Sequence, residues 1–138
     1  EGIWTSTGTS DSEASDGLSM SVGTALAEAN FVVFGNNNDD TGTTSSSLSG
    51  ISKRSKREWN FDEKGTVTAD IKIDISDATG HSGSISSESN YKLLFKTCEF
   101  CNFLELETGD SVSGDVITFS NVTIQDGIFC IASADSNL

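Results

Sequence analysis

Cys98 and Cys101 form a Cys-x-x-Cys pair in the run KTCEFCNF, and Cys130 is the third cysteine of the chain. Thiolates at this spacing can hold zinc, exchange disulfides or close a structural bridge. Structural zinc takes four ligands, and three cysteines with no well-placed histidine leave one position empty. A thioredoxin-like dithiol opens a helix after a strand, whereas this pair ends one predicted strand and precedes another. What remains is one disulfide made from two of Cys98, Cys101 and Cys130. We expect it to join the 98/101 turn to Cys130, because strands over residues 91–96 and 128–133 can lie side by side. Such a bridge implies an oxidising, extracellular compartment and leaves one thiol over.

Asn36-Asn37-Asn38-Asp39-Asp40 offers hard oxygen ligands directly after a predicted strand. Asn36, Asn38, Asp39 and Asp40 are therefore the candidate calcium ligands, although the run lacks the spacing of an EF-hand loop. Lys53, Arg54, Lys56 and Arg57 hold four of the eight positive charges, suited to an acidic neighbour, subunit or glycan. The single histidine, His81, sits between glycines in Thr79-Gly80-His81-Ser82-Gly83 with no nucleophile or metal ligand at useful spacing. No phosphate loop, nucleophile elbow or zincin helix is present, so no catalytic residue is expected, and calcium is the one cofactor considered. Asn121-Val122-Thr123 matches a glycosylation sequon.

These residues need a frame, and its clearest signal is the run over residues 65–76. There Val67, Ala69, Ile71, Ile73 and Ile75 alternate with polar residues, the period of a strand with one buried face. Eight further strands are expected over residues 2–7, 18–22, 31–35, 57–61, 91–96, 103–107, 116–122 and 128–133, each bounded by Gly, Asn, Asp or Ser. Phe31–Phe34 and Ile128–Ile131 are apolar at consecutive positions and are read as central strands. Residues 25–28 are the one place for a helical turn. About nine short strands without helical periodicity predict an all-β fold, a two-sheet Ig-like or jelly-roll-like β-sandwich. Trp59, Phe61, Ile71 and Ile73 are its expected core.

With 138 residues the chain is expected to form one domain over 1–138, residues 1–16 being an exchanged or loosely packed strand. An opening Glu1 rather than Met reads as a mature or excised segment. Hydrophobic residues make up only 35%, so the core should be thin and the loops polar. The net charge of −13 repels nucleic acid and anionic lipid, and no run approaches the length of a membrane span. The chain has no proline, so sheet edges must be protected by other means or be open to pairing.

The succession NFVVFGNNN, REWNFDEKGTVTADIKI, NYKLLFK and DVITFSNVTIQDGIFCIAS resembles a β-sandwich module of very large secreted surface proteins of Bacteroidota and marine bacteria. Gly35-Asn36, Arg57, Trp59, Glu63, Gly65, Val67, Tyr91, Leu93, Leu94, Phe119, Val122, Asp126, Gly127 and Phe129 carry the likeness, across about residues 30–133. The resemblance implies a secreted, adhesin-like, non-enzymatic module exported by the type IX route, and the three cysteines depart from its pattern.

The functional expectation is thus an extracellular structural or adhesive module of a cell surface. A filament subunit is the alternative, in which Ile3 and Trp4 add a strand to the next copy while Lys53, Arg54, Lys56 and Arg57 face its acidic surface. A further alternative is a carbohydrate-binding module using an exposed Trp4 or Tyr91. Partners would be other copies, neighbouring surface domains or glycans, not nucleic acid, and without membrane insertion.

Overall fold

The computed structural model describes residues 2–4, 12–23, 26–27, 29–38 and 40–138, with side chains from Asp16 onward. Thirteen strands run through them: β1 (Gly2–Trp4), β2 (Ser12–Ser15), β3 (Leu18–Ser21), β4 (Phe31–Asn36), β5 (Thr43–Ser45), β6 (Lys53–Ser55), β7 (Trp59–Lys64), β8 (Thr68–Asp74), β9 (Tyr91–Lys96), β10 (Leu104–Thr108), β11 (Ser111–Ser113), β12 (Val116–Thr123) and β13 (Gly127–Ser133). They form two sheets, one of eight strands and one of five in the order β11-β12-β8-β3-β2. The fold is an all-β sandwich.

Each of the nine expected strands has a counterpart, and β2, β5, β6 and β11 are additional. These four are three or four residues long and mostly Ser, Thr, Glu, Lys or Arg, with Ala14 and Val112 the apolar exceptions, too short to show an alternation. Their place is set by backbone pairing to a neighbour, which leaves no hydrophobic trace in sequence. The expected strand over 65–76 is shorter, running from Thr68 to Asp74. Its carboxylate caps the helical turn α1 (Ile75–Thr79) by accepting from the amides of Ser76 and Asp77, and Gly80 closes that turn in the left-handed conformation.

β13 is the central strand of the larger sheet. It pairs with β9 along its whole length on one side, and on the other with β7 near its start and β6 near its end. The expectation for β4 is corrected: it lies next to the outermost strand β1, one face is covered, and Val33 is exposed. Between the sheets a chain of rings crosses the larger sheet, Phe34 to Phe61 at 5.0 Å, Phe61 to Phe129 at 4.6 Å and Phe129 to Phe95 at 5.0 Å. The registers Phe34↔Phe61 and Phe129↔Phe95 place these inward residues side by side on successive strands. Leu18, Met20, Ile71, Ile73, Ile117 and Phe119 of the smaller sheet meet them in the same buried cluster.

The Asp126-Gly127 step gains a reason here. Gly127 has φ +151°, and a Cβ there would come within 2.5 Å of the Lys96 carbonyl oxygen, so only glycine lets β13 start this close to the end of β9.

Candidate functional site

The outward face of the larger sheet holds a second, smaller cluster. Outward residues Leu94 of β9 and Cys130 and Ala132 of β13 are buried there with Ile51, under the partly buried Leu48 and Phe103. The segments between β5 and β6 and between β9 and β10 rise on either side. Between them lies a groove of about 710 Å³ lined by Ser45–Leu48, Arg54, Lys96 and Glu99–Leu104.

Its floor is charged and ordered. Outward residues of β6 and β9 supply Arg54 and Lys96, and Glu58 just before β7 bridges them. Glu58 Oε1 lies 2.9 Å from the Arg54 guanidinium and Oε2 lies 2.9 Å from Lys96 Nζ. Lys96 also donates to the Glu99 carbonyl at 3.2 Å, and Arg54 to the Ser55 carbonyl at 3.0 Å. Both cations sit against the Phe103 ring, Arg54 at 4.9 Å and Lys96 at 4.5 Å from its centroid. The Lys96 side chain is only 7% exposed, so its charge is held by these contacts rather than by water.

One wall is the turn Cys98-Glu99-Phe100-Cys101. The Cys101 amide donates to the Cys98 carbonyl at 3.1 Å, and the two cysteines are joined by a disulfide across a Cα–Cα distance of 5.1 Å. A loop this small has no interior, and Phe100 is 93% exposed; Leu104, at the start of β10, is 65% exposed.

This corrects the expected pairing of the 98/101 turn with Cys130. In the β9–β13 register Ile128 lies opposite Lys96, so Cys98, two residues on, falls beyond the start of β13. Cys130 lies farther along β13, opposite Leu94, about 13 Å from the position that would face Cys98. It is a buried free thiol beneath Arg54, Glu58 and Lys96. Burial pushes the thiol up to about 12, against the smaller opposing pull of Arg54. An unfolded cysteine ionises near 9.0. Above that pH the unfolded chain therefore loses a proton that the folded chain keeps, and stability falls by about 1.4 kcal/mol per pH unit until the folded thiol ionises. Buried Tyr91, also raised by burial, adds a loss at higher pH. Denaturant midpoints at pH 8 to 11, about three units, should fall less steeply in Cys130→Ala than in the parent. Parallel curves would place the thiol in water.

The other sequence candidates lie elsewhere. Trp59, Phe61, Ile71 and Ile73 are buried in the inter-sheet core. Asn36 donates its amide to the Asp16 carboxylate and accepts the Asn38 backbone N–H at 2.6 Å, so its oxygen closes a local turn. Asp40 is exposed, and Asp39 lies outside the described residues. Among the described residues no three His, Cys, Asp or Glu side chains gather to hold a metal. His81 is half-buried, its Nε2 3.3 Å from the Ser84 carbonyl.

Ile3 and Trp4 lie opposite Val32 and Phe31 on the chain's own β4, and their side chains lie outside the described residues. The basic set is divided. Arg54 turns into the groove, Arg57 donates to the carbonyls of Asp16 and Asp77, Lys53 reaches the Ser136 carbonyl at 3.5 Å, and Lys56 is exposed. Tyr91 as a sugar platform is also corrected: its ring is fully buried and its hydroxyl accepts the Ser86 amide, because position 91 faces inward on β9.

Phe100, Phe103, Lys96 and Glu58 were missed as site residues. The usable signal was a phenylalanine between two cysteines three apart, since a four-residue disulfide loop cannot bury its own side chain. The alternation in Tyr-Lys-Leu-Leu-Phe-Lys also puts Lys92, Leu94 and Lys96 on one face.

A family model described as a domain of unknown function (DUF8202) matches residues 4–128. No curated protein and no solved structure matches the chain.

Proposed function

We propose, for a chain that belongs to the DUF8202 family of domains of unknown function, a non-catalytic, extracellular adhesive role in which the groove wall at Phe100 is the contact surface. One observation carries this reading: a nearly fully exposed phenylalanine on a turn closed by the Cys98–Cys101 disulfide. An apolar ring in water is unfavourable, and the disulfide restrains the backbone that presents it, which lowers the ordering cost of recognition. Disulfides of this kind persist in oxidising compartments, and a net charge of −13 suits a solvated surface domain. The likeness to modules of secreted Bacteroidota surface proteins points the same way.

The compartment can be tested by counting thiols. Protein taken from the cells that make it, quenched with acid at harvest and denatured without reductant, should bind one maleimide per chain, at Cys130. Native protein should react far more slowly, because that thiol is buried. Three reactive thiols at harvest would put the chain in a reducing compartment and end the extracellular reading.

A further inference from the structure

We infer that the groove between the 45–48 and 99–104 segments binds a neutral oligosaccharide, with Phe100 as the stacking platform for a sugar ring. The inference rests on the adhesive reading and gives its ligand a chemical class.

The lining sets what can bind. A pyranose ring offers an apolar face of C–H groups and a rim of hydroxyls that each donate and accept. Phe100 supplies the matching apolar surface, open to solvent on nearly every side and carried on the disulfide-closed turn. Ser46, Ser47 and Asn102 also line the groove, residues whose hydroxyls and amide donate and accept, the Ser46 hydroxyl already accepting the Leu48 amide at 3.1 Å. A space of about 710 Å³ falls within the ordinary range of ligand-binding clefts and has room for more than one sugar ring.

Charge decides against the alternatives. Arg54 and Lys96 are bridged by Glu58, so this floor presents both signs at close range and only one net positive charge. The whole chain carries −13, a field that opposes the approach of uronate, sulfate or phosphate polymers and of a second acidic copy. A neutral ligand meets no such barrier.

The test is titration of the full chain with cellohexaose, laminarihexaose, xylohexaose and mannohexaose by calorimetry, with sulfated and uronate oligomers alongside. At least one neutral oligomer should bind with Kd of about 1 mM or tighter, and Phe100→Ala should weaken it about tenfold or more. Phe100 lies outside the core, so buried-Trp59 emission should be unchanged in the variant and a loss would report on the groove. Affinity should shift less than about twofold between about 0.05 and 0.5 M salt. The inference is overturned if no neutral oligomer binds, if Phe100→Ala binds as the parent does, or if only anionic oligomers bind. Self-association that disappears in Phe100→Ala, without glycan binding, would assign the groove to a second copy instead. Each of these failures leaves the thiol count intact, so loss of the ligand class and loss of the extracellular reading are separable.

Discussion

Trp59→Ala should lower the unfolding free energy by about 3–5 kcal/mol, the range for deleting a fully buried aromatic that leaves a cavity. Among the described residues Trp59 is the largest fully buried side chain, with no exposed surface, and it opens β7 opposite Phe129 of the central strand. The same position joins β7 to β4, because Asn36 is its partner on the other side. A void there removes contacts from the inter-sheet core and slackens the start of the strand that carries Glu58 into the groove. A typical domain is stable by only about 5–15 kcal/mol, so the variant should sit near its unfolding threshold at growth temperature. Denaturant unfolding followed by circular dichroism measures it. A loss under about 1 kcal/mol would mean that the neighbours collapse into the space, contrary to a rigidly packed sandwich core.

Glu58→Ala should cost about 2–4 kcal/mol, somewhat below the range for breaking fully buried ion pairs because Arg54 and Glu58 keep some contact with water. The loss comes chiefly from Lys96, whose side chain is 7% exposed and whose ammonium would be left with a carbonyl and a ring but no carboxylate. Glu58→Gln keeps one acceptor and should cost less. In Glu58→Ala combined with Lys96→Met, the unpaired charge is gone, so much of the loss should return. The readout is the shift in denaturant midpoint at constant slope, with the double variant closing the cycle. A loss below about 0.5 kcal/mol, or no recovery in the double variant, would class the bridge as an ordinary solvated pair. Because Lys96 and Arg54 form the groove floor, the single variant should also disorder Phe103 above them.

Much of the fold was legible because strands with one face in the core must alternate. Ile71 and Ile73 reveal β8 in this way, and consecutive apolar residues reveal β13, whose two faces are both covered. The same logic misled at β4, which has a strand on either side yet leaves Val33 exposed, since a local run does not tell what will cover the outer face of the sheet. It also ran past β8 by three residues at the start, 65–67, and two at the end, where Ile75 keeps the alternation but Asp74 followed by Ser76 and Asp77 caps a helical turn.

By itself, then, the sequence determined what is local: strand periodicity, the acidic balance, a Cys-x-x-Cys pair and the residues destined for the core. Tertiary structure alone decided which cysteines bond and what the outer face carries. Cys130 is the natural third partner by inventory, yet the β9–β13 register puts it some 13 Å along the strand and on a face covered by Ile51 and Phe103. Arg54, Glu58 and Lys96 come from three different segments, and their meeting depends on β6 and β7 sharing one edge of β13 while β9 takes the other. Pairing between distant strands follows from the closing of two sheets around one core, and no short window of sequence contains it.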